Sequence, residues 1–211
     1  MPRPKSLSHS DIAGAALAVM DRDGLPALSM RTVATQLGVG TMSLYRYVKD
    51  REELERHVVE LVLGAVDPVV PAEKSWREQI TRIVERIRKA VIAHPATVPL
   101  FMAHRHISPS VRRCSEELLR ALTRAGFQGK PRVIALRMLV SYVSGALQAQ
   151  HLGALDGQGT VVLASLSPDD YPLLAATARS ALQVDPAKEF FGGLEIVLDG
   201  LAQHLAGKKP R

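Results

Sequence analysis

Residues 30–48 read MRTVATQLGVGTMSLYRYV, and the fold turns on this stretch. Val33, Leu37, Val39, Leu44 and Val48 give two short helices a common apolar face. Ala34 is small where those helices must cross closely, and Gly38 falls in the turn between them, where a positive φ is expected. The spacing therefore predicts a helix-turn-helix. The residues left outward on the second helix are Thr41, Met42, Ser43, Tyr45, Arg46 and Tyr47, without one carboxylate. A surface meant for a major groove has this character, because phosphates repel acids while base edges need donors, acceptors and methyl contacts. The plainer alternative is a helical hairpin with a polar exterior.

Working outward, a first helix starts at a serine cap, Ser8 or Ser10, and runs to about Asp23 with Ile12, Ala16, Val19 and Met20 inward. Gly24 and Pro26 end it. Ser29 caps the helix that ends at Leu37, and the short helix after the turn runs from Thr41 to about Tyr47. Asp50 caps a fourth helix, with Glu52 and Glu53 in its first turn where negative charge suits the helix dipole. That helix continues through Leu54, Val58, Leu61 and Val62 towards Val66. Asp67-Pro68-Val69-Val70-Pro71 then breaks the pattern. The expected division is a helix-turn-helix domain over residues 1–66 and a larger helical domain over 67–211. Helices are expected in the second over about 75–93, 99–104, 110–125, 131–152, 168–182 and 186–206, with a Gly-rich loop near 153–159. No alternating strand of useful length occurs, so the fold class is all-α.

Composition limits the function classes. Apolar residues make up 46% of the 211 and charged residues 23%, ordinary values for a soluble globular chain. No stretch approaches the roughly 18 apolar residues of a membrane span, and residues 1–10 do not read as a signal peptide. The single cysteine, Cys114, excludes an internal disulfide and fits a reducing cytoplasm. Although Arg112 and Arg113 adjoin it, a structural thiol is the expected role. The net charge of +6 permits an anionic partner. Its location is less direct: residues 74–137 hold 14 Lys and Arg against 4 acids, whereas residues 1–56 hold 8 against 7. A DNA argument must therefore rest on the motif. The basic stretch is read first as a solvated helix face, with an anionic effector as the sharper alternative. No phosphate loop, nucleophile elbow or cysteine–histidine signature is present. Glu116 and Glu117 adjoin on one helix and point about 100° apart, so they make no acid–base pair. His94, His104 and His106 lack the spacing of a metal site. Neither a metal nor another cofactor is expected.

The run from Leu7 to about Val62 resembles the DNA-binding domain of the tetracycline-repressor family. The resemblance rests on Ala15-Ala16-Leu17, Gly24, Leu28, Arg31, Ala34, Leu37-Gly38-Val39, Leu44-Tyr45, Val48-Lys49-Asp50 and Leu54, with residues 43–49 the most specific part. It implies that Thr41, Met42, Ser43 and Tyr45 sit at base edges or the adjacent backbone of double-stranded operator DNA. Arg31, Tyr47 and Lys49 would hold phosphates, with Arg51 a weaker candidate. Arg46 departs from an often aromatic position and is left unassigned. Arg3 and Lys5 would form a basic arm or simply an unanchored terminus.

A weaker resemblance continues from Trp76 to Leu205 and implies a ligand-binding and dimerising domain. Two late helices per subunit would form a four-helix interface between the copies of a homodimer, here about 131–152 and 186–206. The residues agree: Leu194, Val197, Leu198, Leu201 and Leu205 form an apolar stripe, and the other helix is apolar nearly all round. Two-fold symmetry would make the operator an inverted repeat. Ile83, Ile87, Phe101, His104, Met138 and Tyr142, with His151, are candidates to line a pocket for a small-molecule effector. His104 lies near a position where the family's tetracycline-binding members carry a magnesium–drug histidine. Asp67 stands where those members carry another pocket histidine, and no equivalent acid occurs near 148–151, so tetracycline itself is not expected. The resemblance implies a repressor released from its operator by the effector. The alternatives are a helical enzyme and a DNA-binding protein that answers to no ligand.

Overall fold

The computed structural model describes residues 7–153 and 155–207; Arg3 and Lys5 lie outside them. Among the described residues the regular structure is helical, with no strand. Eleven α-helices are present among them: α1 (His9–Asp23), α2 (Met30–Leu37), α3 (Thr41–Leu44), α4 (Arg51–Gly64), α5 (Trp76–Ile92), α6 (Val98–His104), α7 (Pro109–Arg124), α8 (Gly129–Leu152), α9 (Gln158–Ala164), α10 (Pro172–Ala181) and α11 (Pro186–Ala206).

Two compact units divide the chain, residues 1–121 and 122–211. In the first, α1 packs on α2 and α4, and α4 in turn meets α5 and α6. Ser8 is the cap of α1: its hydroxyl accepts from the Asp11 N–H while Asp11 accepts from the Ser8 N–H. Ile12, Ala16, Val19 and Met20 are fully buried, and Gly24 closes the helix at φ 80°. Trp76 opens α5 behind a Ser75–Glu78 capping box, which fixes where the helix starts after the proline-bracketed segment.

In the second unit α8 and α11 pack together, and α9 pairs with α10. Ala135, Leu139 and Leu147 of α8 and Phe190, Leu194, Leu198 and Leu201 of α11 are buried, and Phe127 joins them. Tyr142 donates to the Phe190 carbonyl at 2.6 Å, beside Gly193, where a Cβ would collide with the phenol. That close approach needs a glycine.

Two expectations about helix extent are corrected. A helix expected over about 168–182 starts at Pro172, whose ring suits the first helical turn and whose missing N–H is not needed there. Gln158–Ala164 is helical where a Gly-rich loop was expected to give way only at 168: Gly157 takes an extended cap conformation, and Thr160-Val161-Val162-Leu163 follow as one helical turn onto α10.

Candidate nucleic-acid interface

The helix-turn-helix is built by local capping and three buried apolar anchors. Ser29 caps α2 by accepting from the Thr32 N–H at 3.1 Å, and Thr32 accepts from the Ser29 N–H at 3.0 Å. Gly38 ends α2 in the left-handed conformation, φ 68° and ψ 29°, so the turn falls where the sequence places it. Gly40 caps α3 from an extended conformation. Val33, Leu44 and Val48 are fully buried, while Leu37 and Val39 are half-buried. With these positions fixed, one face of α3 has to look outward.

On that face Met42 is 79% exposed and Tyr45 46%. Arg31, Arg46 and Lys49 are exposed, whereas Thr41, Ser43 and Tyr47 are half-buried. The reading helix is shorter than expected. Its α-helical hydrogen bonding gives way after Leu44 to a tight turn over 45–47, in which the Tyr47 N–H donates to the Leu44 carbonyl at 2.9 Å. Both Tyr47 and Val48 take that same carbonyl, which draws the chain in and buries Val48.

The nearest carboxylates are spent on backbone. Asp50 accepts from the Glu53 N–H at 2.8 Å, and Glu53 accepts from the Lys49 N–H at 2.7 Å. Arg51 pairs with Glu55 at 2.8 Å, which ties up its charge. Among the described residues Arg31, Arg46 and Lys49 make no ion pair. The surface around α3 therefore presents an aromatic, a thioether, hydroxyls and three uncommitted cations.

Sequence reasoning missed the polar fastenings on α4. Glu60 accepts from the hydroxyls of Ser108 and Ser110, at 2.7 Å from the latter, and both serines are buried at the start of α7. Burial opposes its charge, but the hydrogen bonds from Ser108 and Ser110 and the nearby Arg113 outweigh it, holding the carboxyl below the ordinary range. Glu55 accepts from His104 Nε2 at 3.0 Å, with His104 itself buried. Asp21 of α1 meets His94 Nδ1 at 2.8 Å. No local signal marks Glu60, because its partners Ser108 and Ser110 lie about fifty residues away in the chain. Glu60→Gln is expected to cost about 1–3 kcal/mol of stability, since a charge-assisted acceptor becomes a neutral one facing two buried hydroxyls. Urea denaturation of the two proteins checks this.

His57 is a second such group. Desolvation lowers its pKa, with the neighbouring His9 adding to the effect, and its Nε2 is buried without a partner among the described residues. A folded value below the unfolded one means stability is full above the ordinary histidine pKa of about 6.5 and is lost as pH falls through the folded value. Thermal melts at about pH 7.5 and about pH 5.5 are expected to show a smaller drop for His57→Phe than for the parent.

The effector candidates fall on both compact units. Ile83 is buried and Ile87 and Phe101 are half-buried in the first, where His104 is engaged with Glu55. In the second, Tyr142 spends its hydroxyl on Phe190, and Met138 is 52% exposed on α8. His151 is exposed. Cys114 is buried, and burial pushes its thiol up to about 11 against the lowering influence of Arg113, as a structural thiol requires. Among the described residues no cluster of three metal-ligating side chains occurs, and no helix is long and apolar enough to cross a membrane.

The comparisons with known proteins agree with this architecture. Residues 12–58 match the family described as "Bacterial regulatory proteins, tetR family", and residues 69–205 match "Tetracyclin repressor-like, C-terminal domain". The chain belongs to the TetR family and is a DNA-binding transcriptional repressor, not an enzyme. It is 29% identical to the HTH-type transcriptional repressor DrrR1 of Streptomyces coeruleorubidus, over 99% of this chain and 82% of that one. It is 28% identical to the class A tetracycline repressor from transposon 1721 of Escherichia coli, over 93% of this chain and 91% of the relative. Among solved structures, ActR of Streptomyces coelicolor in complex with actinorhodin superposes with a TM-score of 0.80 at 27% identity, covering 97% of this chain and 98% of ActR.

Proposed function

We propose that the protein is a ligand-responsive repressor that binds an inverted-repeat operator as a homodimer and is released by a small-molecule effector. The observation that carries the DNA half is the exposed, acid-free face of α3 with Met42 and Tyr45 outermost and Arg31, Arg46 and Lys49 unpaired around it. Thr41, Met42, Ser43 and Tyr45 read base edges or the adjoining backbone; Arg31, Tyr47 and Lys49 hold phosphates. Residues 1–66 are the DNA-binding domain and residues 67–211 the regulatory one, acting in the cytoplasm.

Dimerisation is supported by the outer face of α8 and α11. Ile134 is 66% exposed and Ile196 73%, and with Met138 they line a groove of about 340 Å³. Gly145, Gly192 and Gly200 are exposed with open space where a Cβ would stand, which lets a partner helix approach closely. An apolar strip with small residues at its middle is a helix-packing surface, and a second copy satisfies it symmetrically.

For the effector, Phe101 and Ile87 are the strongest lining candidates, being half-buried and apolar, with Ile83 behind them. His104 and Tyr142 enter only if a ligand displaces the partners they now hold, and Met138 is better placed for the subunit contact. ActR, solved in complex with actinorhodin, supports that compound and its analogues as the ligands to try first. A thermal-shift screen of such compounds tests the reading, because a bound effector raises the melting temperature by mass action. A hit is expected to weaken operator binding at saturation; a tight ligand that leaves operator affinity unchanged would overturn the release mechanism.

A further inference from the structure

His9, in the first turn of α1, and His57, on α4, stack face to face with ring centroids 4.6 Å apart and planes 14° from parallel. His9 Nε2 also lies 3.1 Å from the carbonyl oxygen of Tyr47. A carbonyl oxygen only accepts, so His9 is the donor and its Nε2 carries the proton. The carbonyl belongs to the turn over 45–47, in which α3 loses its α-helical hydrogen bonding and the chain swings towards Lys49. The lower ring is fixed, since His57 is held in α4 with its Nε2 buried. The upper ring is exposed and adds nothing to the core.

We propose that His9 is a positioning residue for operator recognition: braced on the His57 ring, it fixes the Tyr47 peptide and so the turn carrying the phosphate-holding Tyr47 and Lys49. The inference rests on the assignment of α3 as the reading helix. Recognition groups must be held within about half an ångström of productive geometry. Among the described residues the other hydrogen bonds closing this turn come from within it or just before it, so the His9 contact is its hydrogen-bonded tie to α1. A ring at position 9 without a donor would keep the stack and free the peptide; an amide there would keep the donor.

Operator affinity is therefore to be measured for the full-length parent and for His9→Phe, His9→Gln and Tyr45→Ala, each with a melting temperature, on specific and nonspecific duplexes across a salt series. His9→Phe is expected to bind the specific site about three- to tenfold more weakly, the worth of one hydrogen bond. Its melting temperature should match the parent's, its nonspecific affinity should fall along with the specific one because Tyr47 and Lys49 hold phosphates in both, and His9→Gln should recover the parent's affinity to within about twofold. Equal binding by His9→Phe overturns the proposal, as does a His9→Gln variant as weak as His9→Phe. Tyr45→Ala separates the two levels: if it binds like the parent, the reading helix is misassigned and the proposal falls with it. If it weakens binding while His9→Phe does not, only the proposal falls.

Discussion

Ile196→Glu is expected to yield a folded monomer of 22.9 kDa in place of a dimer, and to weaken operator binding by about a hundredfold or more. Ile196 is 73% exposed, so the substitution removes nothing from the subunit's own core. In the proposed dimer it would set a carboxylate against the apolar strip of the partner's α8 and α11, beside Ile134, Met138 and Gly200. Burying a carboxylate among apolar side chains is costly. The operator loss follows from geometry: a monomer engages one half-site and forfeits the effective concentration that links the two reading helices. Sedimentation velocity and a gel-shift titration check both parts. A variant that stays dimeric would move the interface to another face of the second unit.

Tyr45→Ala is expected to weaken specific binding by about 1–3 kcal/mol, roughly five- to 150-fold, with little change in stability. The ring is 46% exposed and carries no core packing that its loss would undo, while the adjoining Leu44, fully buried, holds α3 in place. Nonspecific binding should change far less, since it depends on Arg31 and Lys49 meeting phosphates. Fluorescence anisotropy on specific and scrambled duplexes separates the two effects.

Capping and periodicity placed α1, α2 and α4 because their signals are local: a serine followed by its reciprocal partner three residues on, or a glycine forced into positive φ. The fully buried Val33, Leu44 and Val48 followed from spacing alone. The length of α3 did not, because the shared Leu44 carbonyl that tightens residues 45–47 is decided by where Val48 must go to be buried. Nor did α9, whose start is set by the Gly157 backbone and whose packing partner, α10, comes later in the chain. The fastenings of α4 were invisible for a related reason. Glu60 finds Ser108 and Ser110 about fifty residues away, and His57 finds His9 across the α1–α4 contact. Pairings at that distance leave no periodic trace. His104 illustrates the cost, since a histidine read as a pocket candidate is also the buried partner of Glu55.

Recognition of an inverted repeat by α3 in a two-fold dimer is tested by selecting duplex DNA from a random pool with the full-length protein, followed by a salt titration of the enriched sequence. Enrichment of an inverted repeat whose half-site centres lie about one helical turn apart, or a multiple of it, with affinity falling steeply as salt rises, is the expected result. Enrichment of no sequence above background would contradict the reading of α3 as a recognition helix, and enrichment of a single, unrepeated site would contradict the two-fold dimer.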